Sequence, residues 1–128
     1  MDTMIFQNIF DKISSFLPMS WKNIIYFAGY TEGSYSMKFY VENGDGRFVD
    51  CFSMPGVTRA GLIKTFVEID KLLSKERQAL GEEKKWTVFT MRVNSDGHMK
   101  TDFEYDDHSE DMVSYEEVWQ AKYLKGLL

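Results

Sequence analysis

Residues 86–106 read WTVFTMRVNSDGHMKTDFEYD, and this stretch decides the fold class. Thr87, Phe89, Met91 and Val93 recur at every second position. Successive side chains of a strand point to opposite faces, so a period of two marks a strand with one buried side. Asn94-Ser95-Asp96-Gly97 then supplies the polar residues and the glycine of a tight turn. Beyond it Met99, Thr101, Phe103 and Tyr105 resume an apolar side, while Asp102, Glu104 and Asp106 take the other. Two such runs joined by a short turn make a β-hairpin, and therefore an antiparallel sheet.

Upstream, Thr58 is placed to cap a helix in which Leu62, Phe66, Ile69 and Leu73 form one stripe, with Gly81 as its C-terminal cap. Three further strands precede it. Ile24–Tyr30 is almost wholly apolar, like a central strand, and Ser34–Val41 alternates Tyr35, Met37, Phe39 and Val41 with polar residues. Arg47–Met54 alternates less cleanly, with Phe48, Phe52 and Met54 on one side and Asp50 breaking the pattern. Thr31-Glu32-Gly33 and Asn43-Gly44-Asp45-Gly46 are the turns between them. From Thr3 to Leu17, Ile5, Ile9, Ile13 and Phe16 fall at helical spacing, and Pro18 ends that helix. Downstream, Ser114 and Glu117 form a capping box for a last helix that buries Val118, Ala121 and Leu124. The order is α-β-β-β-α-β-β-α. It predicts an α+β fold, a single domain over 1–128 with an antiparallel sheet of about five strands packed by helices.

A chain of 128 residues with 44% hydrophobic and 16% aromatic content can bury a core without staples. Cys51 is the single cysteine, so no internal disulfide forms and a reducing compartment is expected. The richest apolar run is too short to span a bilayer, and Met1-Asp2-Thr3-Met4 lacks the basic start of a secretory signal, which points to the cytoplasm. The net charge of −5 disfavours nucleic acid as a partner, because phosphate contacts need a basic surface. Charge is also unevenly spread. Residues 1–101 carry 12 acidic and 13 basic side chains, whereas residues 102–128 carry eight acidic and two basic ones. All eight acids lie between Asp102 and Glu117, an interval without Lys or Arg. Such asymmetry suits a partner of opposite charge; a merely solvated acidic loop is the plainer alternative.

Little in the chain has the pattern of a catalytic site. His98 and His108 have nine residues between them, without HExxH or CxxC spacing, and read as surface or partner-contacting histidines. Cys51 reads as a small buried residue, and Gly44 and Gly46 as turn residues without a phosphate-loop context. One arrangement merits weighing: Asp102, Glu104 and Asp106 project from the same strand face at intervals of ~7 Å, a spacing from which Mg²⁺ can be held. The residues that follow, Asp107, His108, Glu110 and Asp111, would repel a polyanionic substrate. The same geometry serves an acidic face that docks a basic protein.

Trp86-Thr87, the alternating strand, Asp96-Gly97 and Thr101-Asp102-Phe103-Glu104-Tyr105-Asp106 together resemble the YezG-like family of immunity proteins, whose members carry a "WT", a glycine turn and a "DFDYD"-like strand. The opening helix with Ile5, Ile9 and Ile13, then Leu17-Pro18 and Trp21, is similar to the family's start. Met37-Lys38-Phe39-Tyr40 matches its second strand, and Trp119 with Tyr123-Leu124 its tail. The acidic stretch Asp106 to Glu117 departs from the family by its scarcity of aromatics. The resemblance implies a non-enzymatic antitoxin with no catalytic residues, no metal and no cofactor. Its expected partner is the C-terminal domain of a cognate bacterial toxin, a basic nuclease. The partner-binding residues on this reading are Asp102, Glu104, Asp106, Asp107, Glu110 and Asp111. Tyr115, Trp119 and Tyr123 are either interface anchors or core. The competing readings are a metal-dependent enzyme built on Asp102, Glu104 and Asp106, and an adaptor for another basic cellular protein.

Overall fold

A computed structural model describes residues 4–128, so the helical start expected at Thr3 lies outside the described residues. The first helix, α1 (Met4–Ser14), buries Ile5, Ile9 and Ile13 at intervals of four, one face of a 3.6-residue period. It ends before Pro18, through turns closed by Phe16 N–H on Ile13 O and Leu17 N–H on Ser14 O. Then come β1 (Asn23–Thr31), β2 (Ser34–Glu42) and β3 (Phe48–Asp50), the long helix α2 (Arg59–Gln78), β4 (Val88–Asn94), β5 (Met99–Glu104) and α3 (Met112–Leu124). The five strands form one antiparallel sheet in the order β3-β2-β1-β4-β5. The α+β class and the element order are those the sequence predicts.

Both faces of this sheet are covered. On one, Tyr26, Phe39, Phe89 and Met91 pack with Ile9 and Ile13 of α1 and Leu62, Phe66, Ile69 and Leu73 of α2. On the other, Ile25, Phe27, Tyr40, Phe48 and Val88 pack with Trp119 and Leu124 of α3. The central β1 therefore buries every residue from Ile24 to Tyr30 without alternation. Gly33, at φ 76°, closes the tight β1–β2 turn, and Gly97, at φ 90°, closes β4–β5 with its N–H on Asn94 O at 3.0 Å.

Four local expectations are corrected. The strand expected over Arg47–Met54 stops at Asp50, whose carboxylate accepts the Phe52 N–H at 2.9 Å and turns the chain into a 3-10 turn over Cys51–Ser53. Cys51 thus sits in a turn, fully buried, not in a strand. Gly81 does not cap α2; the C-cap is Ala79, and Gly81, at φ −66°, opens a second 3-10 turn, Glu82–Lys84. Thr58 does cap α2, accepting the Gly61 N–H at 3.1 Å. The Ser114–Glu117 capping box does not form: α3 starts at Met112, and Asp111 O accepts the first bond, from Tyr115 N–H at 2.8 Å. The side of α3 is also rotated from expectation. Leu124 is buried as expected, but Val118 (65% exposed) and Ala121 face out, and Trp119 (2% exposed) is the residue that enters the core.

Candidate partner-binding surface

The six carboxylates singled out in the sequence lie on β5 and the loop that joins it to α3, but they do not share one environment. Asp102 and Glu104 stand on the sheet face that α3 covers, opposite Thr90 and Val88 in the register. Asp102 accepts the Tyr123 hydroxyl at 2.9 Å and has the Arg92 guanidinium 3.9 Å away. Burial, then the hydrogen bond to Asp102, pushes the Tyr123 hydroxyl up to about 12. Asp102 is therefore a half-buried link between the last helix and the sheet, not a wholly solvent-facing carboxylate. Glu104 is half-buried, whereas Asp106, Asp107, Glu110 and Asp111 are exposed. Among the described residues no group of three His, Cys, Asp or Glu side chains is placed to share a metal ion, so the Asp102–Glu104–Asp106 triad lacks a chelating geometry.

Several bonds shape the loop that carries the exposed acids. Thr87 and Val88 both lie opposite Glu104, a bulge in which Thr87 N–H donates to Glu104 O at 2.8 Å. The Thr87 hydroxyl also reaches the carbonyls of Glu104 and Asp106, and so holds the chain as it leaves the sheet. Asp107 accepts from both the N–H (3.0 Å) and the hydroxyl (2.6 Å) of Ser109, which keeps its carboxyl below the usual aspartate range. Ser109 in turn accepts the Glu32 N–H at 3.1 Å, tying the loop to the β1–β2 turn. His108 stacks on Tyr115 with ring centres 4.0 Å apart, and its Nδ1 lies 3.2 Å from Asp111. Of the surface and partner-contacting readings of His108, the surface one is corrected: the ring is largely buried, and among the described residues its Nε2 meets no partner. His98 does lie at the surface, on the β4–β5 turn.

Trp119 belongs to the core. Its indole N–H donates to the Thr90 hydroxyl at 2.9 Å, and its ring packs on Phe27 and Tyr40. Tyr115 and Tyr123 are half-buried beside it. Exposed apolar side chains flank the loop instead: Tyr105 (58%) before it, Val113 (75%) and Val118 on the outer side of α3. An open cleft of about 410 Å³ beside the loop mixes Arg77 and Lys85 with Glu32, Glu82 and Asp107, and so has no consistent sign for a phosphate ligand. Thr87, His108 and Ser109 were missed as loop-shaping residues. Only Asp107-x-Ser109 carried a signal, since an aspartate two residues before a serine is the pattern of an Asx turn.

An acidic loop of defined shape, on a sheet packed by helices on both faces, describes a small α+β protein. The family model "Immunity protein YezG-like" matches residues 2–127, nearly the whole chain, and the chain belongs to that family. The family implies an antitoxin-like role and a toxin as partner, and its members are generally non-enzymatic. No curated protein matches the chain. No helix among the described residues is long and apolar enough to cross a membrane.

Proposed function

We propose that this protein is a cytoplasmic immunity protein that neutralises the C-terminal nuclease domain of a cognate toxin, without catalysis or cofactor of its own. The observation that carries the reading is the exposed group Asp106, Asp107, Glu110 and Asp111 on a loop shaped by Thr87, Ser109 and His108. A nuclease presents positive charge to its phosphates, and an acidic partner is steered to that surface and occupies it. A loop already shaped before binding loses less conformational freedom on docking. Asp102 and Glu104 extend the same negative field along β5, with Asp102 also serving the fold.

The test pairs the protein with the toxin domain encoded by the adjacent reading frame. Changing Asp106→Asn, Asp107→Asn, Glu110→Gln and Asp111→Asn together is expected to slow association at least tenfold and to flatten its salt dependence. Unchanged rates at every salt concentration would move the interface away from this loop. Failure of the wild type to protect cells from that toxin would overturn the reading as a whole.

A further inference from the structure

The sheet has two edges: one is β3 together with residues 34–39 of β2, which pair with no strand on that side, and the other is β5. At β3 the edge is three residues long and is met by the C-terminal tail: Phe48 N–H donates to Leu127 O at 2.7 Å, and the Arg47 guanidinium reaches Leu128 O at 2.9 Å. At β5 the edge is six residues long, Met99–Glu104. Backbone groups alternate in direction along a strand. Asn94 N–H bonds His98 O and Thr87 N–H bonds Glu104 O, so the even-numbered residues of β5 turn their N–H and C=O toward β4. Met99, Thr101 and Phe103 therefore turn theirs outward. Among the described residues no backbone hydrogen bond from outside the sheet reaches them. A long open edge invites pairing with another chain and is ordinarily blunted or covered.

We infer that the open edge of β5 receives an extended segment of the toxin as a sixth strand, an inference that rests on the toxin-binding reading above. The side chains beside the edge define that segment. Lys100, Asp102 and Glu104 stand on one face, while Met99, Thr101 and Phe103 stand on the other. Neighbouring strands present directly opposed side chains about 5 Å apart, and opposite charges so placed attract. The incoming strand accordingly sets Lys or Arg opposite Asp102 and Glu104, an acidic or polar residue opposite Lys100, and apolar residues between them. The exposed Asp106, Asp107, Glu110 and Asp111 follow directly on β5, so the strand's flanking turn meets negative charge as well. Main-chain bonds supply affinity in this mode and the alternating side chains supply specificity.

Amide hydrogen exchange on the complex with a catalytically inactivated C-terminal domain of the adjacent toxin is the direct measurement. Exchange at Thr101 and Phe103 is expected to slow at least tenfold on binding, more than at Lys100 and Asp102. Thr101→Pro removes one outward N–H where an edge strand tolerates proline, and is expected to weaken binding at least tenfold. A complex that forms with unchanged exchange at Thr101 and Phe103 overturns the inference, whether or not the proline variant folds. A folded Thr101→Pro protein with wild-type affinity overturns it too. Protection of the same amides by dimerisation of the free protein would assign the edge to a second copy and also overturn it. Absence of any complex fails the toxin-binding reading itself, and leaves this edge without the occupant named here.

Discussion

Asp102 shows how one carboxylate serves both fold and surface. Its bond to the Tyr123 hydroxyl links the end of α3 to β5, so its removal is not neutral for folding. Asp102→Asn is expected to destabilise by about 0.5–1.5 kcal/mol, below the usual range for a charged hydrogen bond because the pair is partly solvated. A double-mutant cycle with Tyr123→Phe, read from chemical denaturation, should recover most of that loss as coupling. Phe103 lies half-buried against Trp86 and Phe89, with ring centres 5.8 and 5.4 Å away. Phe103→Ala is expected to cost about 2–3 kcal/mol by denaturation, below a fully buried phenylalanine. Cys51 is buried, and its thiol is pushed up to about 12. The folded state then holds the thiol proton more tightly than the unfolded chain. This contribution is intact below the ordinary thiol range and is lost as pH rises from there toward 12. At pH 8 native Cys51 should resist iodoacetamide and react on unfolding; fast labelling of the native protein would contradict its burial. Asp107 has the opposite sign. Its carboxyl is lowered by Ser109, so that clamp is full above the ordinary aspartate range and is lost as pH falls through and below it.

At the scale of elements, α3 is the least autonomous part of the fold. Its residues Val113, Tyr115, Val118, Trp119, Tyr123 and Leu124 surround the helix instead of forming one stripe. Its position depends on Trp119 in the sheet face, with the Thr90 hydroxyl as hydrogen-bond acceptor. Trp119→Ala is expected to cost about 3–5 kcal/mol, the usual range for a buried large aromatic. Trp119→Phe keeps much of the packing but leaves Thr90 without its donor, with an expected cost of about 1–3 kcal/mol. Both are measured by denaturation followed through helix content. A neutral Trp119→Ala would mean that α3 docks through Leu124 and Tyr123 alone.

Across the whole molecule, charge separates association from stability. The protein carries a net charge of −5, and its exposed loop carboxylates have few cationic neighbours to stabilise them. Moderate salt should therefore slow capture of a basic toxin domain while leaving the melting temperature almost unchanged, since the Debye length is ~8 Å at physiological ionic strength. Stopped-flow association and thermal melts over one salt series make the comparison. Parallel changes in both would place the acidic loop among the structural contacts of the fold.

The hairpin from Trp86 to Asp106 was legible because its period of two is a local property, set by which residues follow one another and by a glycine at the turn. The stripes of α1 and α2 were legible for the same reason at a period near 3.6, and with them the α+β class and the chain order. Helix limits were less so. The helix starts at Met112, with Asp111 at the cap position and its side chain on His108, so Ser114, which looked available as a cap, lies inside the helix. Which faces of the sheet are covered was a tertiary matter. An apolar side of β1 at Ile25 and Phe27, joined by Val88 of β4, needed a third layer, and α3 supplied it by inserting Trp119. The same packing drew Asp102 to Tyr123, turned Val113 and Val118 outward and left the edge of β5 open. Local pattern chose the elements; burial between residues far apart in the chain chose their sides, because a helix with apolar residues on every side has no preferred face until a sheet presents one.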